Sequence, residues 1–77
     1  MHKLRLVAPR FSIGTRVVVN DAIRNPHIGE IGTVLSIRYS RYSITLDKYS
    51  VQLDSGLRRD FWDIQMRTDD QTNRISN

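Results

Sequence analysis

The sequence predicts a single small all-β domain of about five strands. Short runs of β-branched and aromatic residues alternate with clusters of Gly, Pro, Asn, Asp and Ser, a pattern typical of strands and turns. Apolar residues do not recur at helical spacing over any long segment. A chain of 77 residues can build one hydrophobic core, and because it has no cysteine that core must hold by packing alone.

The first two strands are predicted on either side of a long loop. Residues 16–20 read RVVVN, so Val17 and Val19 are expected to face the core. Residues 21–30 contain a proline and a glycine, which predict an irregular loop. Residues 31–39 are rich in β-forming residues and predict a second strand that crosses the sheet and bends. We expect residues 44–46 to extend the hairpin before a turn at residues 47–48.

The third strand shows the clearest alternation in the chain. Tyr49, Val51 and Leu53 alternate with Ser50, Gln52 and Asp54, which predicts one buried face. Residues 54–56 read DSG and predict a tight hairpin turn.

A fourth strand is predicted over residues 57–61, with Leu57, Arg59 and Phe61 on one side. We expect Phe61 to be buried and its neighbour Trp62 to be partly exposed, because so small a core holds few large rings. Residues 62–64 predict a short bend, and residues 65–67 predict the closing strand.

The two ends of the chain differ from the centre. Residues 1–10 are expected to form an N-terminal arm or a sixth, edge strand, and residues 11–67 the folded domain. Residues 68–77 contain one apolar side chain, Ile75, so we expect a disordered tail.

The charge of the chain favours polyanionic partners. Twelve Lys and Arg residues against eight Asp and Glu give a net charge of +4 and a pI near 10.1. Arginine supplies ten of the twelve basic residues, and its planar guanidinium suits phosphate and aromatic faces. Because no segment of about 18 apolar residues is present, we expect a cytoplasmic protein without a membrane partner.

Two segments resemble the opening of SH3-like and KOW-type small domains. They are residues 11–17, FSIGTRV, and residues 29–34, GEIGTV. Residues 61–64, FWDI, also resemble the short helical turn before the last strand of that fold. The resemblance covers residues 11–67 and implies a single SH3-like barrel, in which Gly29 and Gly32 turn the chain at a corner and Val34 enters the core. The fold hosts both nucleic-acid-binding and protein-binding members.

The inventory of catalytic groups is small, so we expect a non-enzymatic protein without cofactor or metal. There is no cysteine, there are two histidines, and the eight carboxylates form no recognisable pair. His27, beside a proline, is expected to be an exposed turn residue. A weaker resemblance to the small plasmid-borne dihydrofolate reductases rests on residues 51–53, VQL, but Asp54 stands where that family has tyrosine.

The most informative candidate site is Arg38, Tyr39, Arg41 and Tyr42, predicted at a hairpin tip. Arginines there can neutralise phosphates while tyrosine rings stack on exposed bases. The alternative is that Tyr39 packs on the barrel and the arginines keep an edge strand soluble. The full candidate interface consists of Arg16, Arg24, Arg38, Tyr39, Arg41, Tyr42, Arg58 and Trp62.

The sequence is compatible with two functions. The leading hypothesis is a nucleic-acid-associated accessory or regulatory protein that uses a basic and aromatic face. The alternative is a protein-interaction module or small subunit of a larger assembly. It would bind an acidic or apolar protein through Trp62 or the barrel edges, or a second copy of itself through those edges. The basic pair at residues 58–59 is expected to be neutralised by Asp60 and Asp63.

Overall fold

The computed structural model describes residues 5–20 and 25–70, and these form an all-β fold around one antiparallel sheet. Its strands are β1 (Arg16–Val19), β2 (Ile31–Arg38), β3 (Lys48–Leu53), β4 (Arg58–Trp62) and β5 (Met66–Thr68). They lie in the order β4-β3-β2-β1-β5, and every neighbouring pair is antiparallel. In this described part of the chain the sheet has two edges, β4 and β5.

The hydrophobic core lies on one side of the sheet and confirms the predicted inward faces of β1 and β3. Its buried members are Phe11, Val17, Val19, Val34, Tyr49, Val51, Leu53, Phe61 and Met66. Val18, expected on the opposite face from Val17, is also buried, because β1 lies between β2 and β5 and Val18 is opposed by Ile31 and Arg67. Phe61 is buried and Trp62 is 40% exposed, as predicted.

A β-bulge in β2 decides which way the end of that strand faces. Val34 is opposite Val51 and Ser36 is opposite Ser50, so Leu35 is an extra residue without a partner on β3. An extra residue reverses the alternation of side chains beyond it. Ile37 therefore packs against the core and Arg38 points to the other side of the sheet.

The two glycines of the predicted corner have different structural roles. Gly29 adopts a φ of +86° in the turn before β2, in agreement with the prediction. Gly32 does not turn the chain. It lies within β2 opposite Leu53, where an added Cβ would stand 2.6 Å from the carbonyl oxygen of Gln52. Close approach of the β3 backbone is therefore the reason for glycine at position 32.

Two 3-10 turns cap the same end of the sheet. The second, Asp63–Gln65, confirms the bend predicted before the last strand. The first, Ile44–Leu46, replaces the predicted extension of the hairpin. The Ser43 hydroxyl accepts a hydrogen bond from the Thr45 backbone N–H at 3.2 Å, and this local bond favours a turn over a strand.

The described termini differ from the predicted boundaries. Residues 5–10 form no strand. At the other end β5 includes Thr68, and the backbone N–H of buried Asp69 donates to the carbonyl of Arg16 at 3.0 Å, so the folded part extends two residues past position 67. Residues 1–4, 21–24 and 71–77, which hold parts of the predicted arm, loop and tail, lie outside the described residues.

Candidate functional site

The sheet surface opposite the core, here called the outer face, carries polar and basic side chains in rows across the strands. At one end Lys48 of β3 is opposite Trp62 of β4 and Arg38 of β2. Directly opposed residues on antiparallel strands share a face, so these three side chains stand side by side. The Lys48 Nζ lies 4.8 Å from the centre of the Trp62 ring, a cation–π contact.

The next row along the outer face is short and hydrophilic. Ser50 is opposite both Ser36 and Asp60, and these side chains line a depression of about 310 Å³ together with Arg38 and Lys48. The lining of the depression therefore includes two cations, one carboxylate and two hydroxyls. These groups together can both donate and accept hydrogen bonds.

Two of the predicted phosphate-binding arginines are available at this end. Arg38 and Arg41 are both exposed, and within the described residues neither forms an ion pair or a side-chain hydrogen bond. Tyr42 lies beside Arg41 in the β2–β3 loop and is 80% exposed. The structure thus brings Arg38, Arg41, Tyr42 and Trp62 to the same end of the sheet.

Tyr39 has a partly structural role. Its ring is half exposed, and the guanidinium carbon of Arg5 lies 4.0 Å from the ring centre. Its hydroxyl donates to the carbonyl of Val7 at 3.3 Å. One ring face is therefore occupied by a cation, and the ring fastens the N-terminal segment to the β2–β3 loop.

A buried ion pair supports that loop from below. The Arg5 guanidinium binds both carboxylate oxygens of Asp47, at 2.5 and 2.7 Å, and donates to the carbonyl of Ser40 at 2.8 Å. Asp47 is fully buried, and it also accepts from the Ser40 N–H at 2.8 Å. The hydrogen bonds from Arg5 hold the pKa of Asp47 below its ordinary value. The loop that carries Arg41 and Tyr42 is therefore fixed at its base.

A second arginine holds the 3-10 turn beside Trp62. Arg10 Nε donates to the Asp63 carboxylate at 3.0 Å, and its Nη2 donates to the carbonyls of Asp63 and Met66, each at 2.7 Å. Asp63 was expected to neutralise the basic pair at 58–59, and the structure assigns its carboxylate to Arg10 instead. The Trp62 backbone N–H donates to the Gln65 side chain at 2.9 Å, which further fixes the tryptophan.

The remaining predicted site residues lie farther along the outer face. Arg58 is opposite Gln52, and Gln52 lies four residues from Lys48 on β3, about 14 Å along the strand. Its Nε donates to the Ser50 hydroxyl at 3.1 Å, so its head group reaches the depression. Arg16 is bound to Asp54 and Thr33, and hydrogen bonding to Arg16 lowers the pKa of Asp54. Arg24 lies outside the described residues.

Several residues of this site are not among the site residues predicted from the sequence. Lys48, Ser50 and Asp60 belong to the outer face, and the alternation that predicted a buried Tyr49, Val51 and Leu53 already implied an outward Lys48 and Ser50. No sequence pattern indicated the partners of Arg5 and Arg10, because Asp47 lies 42 residues from Arg5 and Asp63 lies 53 residues from Arg10.

His27 is less exposed than its position in a turn predicts. Its Nδ1 lies 2.8 Å from a Glu30 carboxylate oxygen, and its ring meets Phe61 edge-on at 6.1 Å between ring centres. Among residues 5–20 and 25–70 no group of three or more His, Cys, Asp or Glu side chains could hold a metal ion. The same residues contain no helix with the length and apolar character that a membrane crossing requires.

Comparison with known proteins finds no matching family model, no matching curated protein and no matching solved structure.

Proposed function

We propose that this chain is a non-enzymatic binding module that binds single-stranded nucleic acid on the outer face of its sheet. The observation that carries the proposal is the row of Arg38, Lys48 and Trp62 beside the exposed loop of Arg41 and Tyr42. Cations that bind phosphates and aromatic rings that stack on bases are the two components that such surfaces combine.

We further propose that the fold is an SH3-like barrel. Two observations support it: β1 pairs with both β2 and the C-terminal strand β5, and a 3-10 turn immediately precedes β5. These features agree with the resemblance of residues 11–17, 29–34 and 61–64 to that fold. Sheets of this kind present one face to the core and leave the other to ligands.

The distribution of charge on the outer face supports a phosphate ligand. Arg38, Lys48 and Arg58 all project from it, while Asp60 is the carboxylate among them. The net charge of +4 adds a long-range attraction for polyanions. The fixed positions of Trp62 and of the β2–β3 loop reduce the entropy lost when a flexible strand binds.

A protein partner is the second candidate, and the open edges of the sheet favour it. In the described part of the chain β4 pairs with β3 alone, and residues 58–60 are exposed. An extended segment of an acidic protein, or a second copy of this chain, could pair with that edge by strand addition. Such binding would involve the backbone of β4 and would be insensitive to substitution of Arg41.

A salt titration with charge-matched variants tests the nucleic-acid proposal. Arg38→Ala/Arg41→Ala should weaken binding of a fluorescent single-stranded oligonucleotide at about 50 mM salt. It should also flatten the dependence of log affinity on log salt by about 0.7 for each lost phosphate contact, and so by about 1.4 in total. The melting temperature should stay within a few degrees of the parent, because both residues are exposed.

The matched control is Arg59→Ala/Arg67→Ala, which removes the same charge elsewhere. Arg59 is opposite the core residue Val51 and Arg67 lies on β5, so neither belongs to the row of Lys48. The control should retain most of the parental affinity and slope. Equal losses in both doubles would show a diffuse electrostatic attraction without a site, and no binding by the parent protein at about 50 mM salt would overturn the proposal.

A further inference from the structure

We infer that the depression on the outer face recognises the ribose of a bound nucleotide, so that the protein prefers single-stranded RNA to single-stranded DNA. This inference rests on the proposed nucleic-acid function and adds the class of nucleic acid to it. Its basis is the position of Asp60, Ser36 and Ser50 between basic residues of the same sheet face.

Basic residues stand on both sides of the depression along the strands. The row of Arg38 and Lys48 lies two residues from Ser50, about 7 Å along β3. The backbone of Arg58 lies two residues away in the other direction, but its head group reaches back, with Nε 3.1 Å from the Ser50 hydroxyl. Every nucleotide within a strand has a phosphate on each side of its sugar. A strand laid along β3 can therefore place one phosphate near Arg38 and Lys48, the next near the Arg58 head group, and the sugar between them over the central row.

Asp60 is the residue that a simple phosphate-binding surface would not contain. A carboxylate beside bound phosphates repels them, and Asp60 forms no ion pair with any other described residue that would neutralise it. Its exposed oxygens can only accept hydrogen bonds when ionised. Asp60 can therefore favour a nucleic-acid ligand by accepting a hydrogen bond that the ligand donates to it.

The ribose 2′-hydroxyl is that donor. It can donate to Asp60 and accept from a serine hydroxyl, and the corresponding position of deoxyribose offers neither bond. Ser50 already accepts from Arg58 Nε at 3.1 Å, which leaves its hydroxyl proton to be donated. The site thus complements a group that is both donor and acceptor and that lies between two phosphates.

Three oligonucleotides of one sequence and length test the inference: oligouridylate, oligodeoxyuridylate and 2′-O-methyl oligouridylate. With the full chain at about 50 mM salt, we expect the ribose form to bind about tenfold more tightly than the deoxyribose form, as one hydrogen bond to a charged group predicts. The 2′-O-methyl form lacks the donor and should bind like the deoxyribose form. Asp60→Ala should abolish the preference while keeping or strengthening the binding of the deoxyribose form.

The matched control is Asp70→Ala, which removes one negative charge from an exposed position beyond β5, at the far edge of the sheet. It should keep the tenfold preference. Equal affinity for all three oligonucleotides, or an unchanged preference in Asp60→Ala, would overturn the inference while leaving the proposed function in place. Absence of binding to every oligonucleotide would overturn both.

Discussion

At the scale of single residues, the buried pair of Arg5 and Asp47 links the N-terminal segment to the candidate site. Burying two charges has a large desolvation cost, and here it is offset by a bidentate contact together with bonds to the backbone of Ser40. No buried side-chain nitrogen or oxygen of the described residues lacks a hydrogen-bond partner. Compared with two apolar side chains such a pair gives little net stability, but loss of one charge leaves the other buried without a partner. The pair also sets one geometry for the loop above it.

The stability of the protein should fall in acid because of Asp47. Its pKa is lowered in the fold, chiefly by hydrogen bonds from Arg5, so the folded state favours the ionised form. This contribution is present above the ordinary carboxyl pKa of about 4 and is lost as the pH falls through the lower pKa of the folded state. Chemical denaturation between about pH 5 and pH 2 should show Asp47→Asn with a flatter decline in the free energy of unfolding than the parent.

The control for this experiment is Asp70→Asn, which removes a carboxyl that forms no ion pair within the described residues. Its pH dependence should follow the parental curve. If Asp47→Asn declines as steeply as the parent, the ion pair seen here does not control acid stability.

At the scale of elements, regular alternation was predictable and its interruption was not. The period of two at Tyr49, Val51 and Leu53 correctly identified the buried face of β3. In β2 the same rule would place Arg38 on the side of Val34, and only the bulge at Leu35 moves it to the outer face. Val34 and Ile37 both face the core although they are three residues apart, whereas residues on one face of a regular strand are an even number apart. This spacing is consistent with a bulge, but only the pairing with β3 locates it.

The end of the last strand provides a second test at this scale. A chain that ends after Asp70 keeps Thr68, which pairs with Val17, and the bond from Asp69 to Arg16, whereas a chain that ends after Arg67 loses both. We expect the chain that ends after Asp70 to melt like the full chain, since residues 71–77 contain one apolar side chain. The chain that ends after Arg67 should lose about 2 kcal/mol in free energy of unfolding and about 10 °C in melting temperature.

Thermal melts of both truncations followed by circular dichroism decide this prediction. Equal melting temperatures for the two would show that Thr68 and Asp69 contribute nothing to the fold. A large drop in the melting temperature of the chain that ends after Asp70 would show that residues 71–77 are part of the fold.

At the scale of the whole molecule, the sequence predicted the all-β class of fold and named some of the residues that the structure brings together at the candidate site. Local patterns were sufficient for the β1 and β3 core faces, the 54–56 turn and the burial of Phe61 with Trp62 exposed. The site needed long-range pairing, because Lys48 joins Trp62 and Arg38 only once β4, β3 and β2 are in register. The number of basic residues also could not distinguish Arg5 and Arg10, which form ion pairs with aspartates, from Arg38 and Arg41.

The fluorescence of Trp62, the single tryptophan of the chain, tests the central claim most directly. Titration with an unlabelled single-stranded oligonucleotide at about 50 mM salt should quench or shift its emission along the same saturation curve as the binding measured by a label on the oligonucleotide. Both signals should weaken together as salt is raised. Oligonucleotide binding that saturates while the emission of Trp62 stays unchanged would place the ligand away from the outer face and contradict the account.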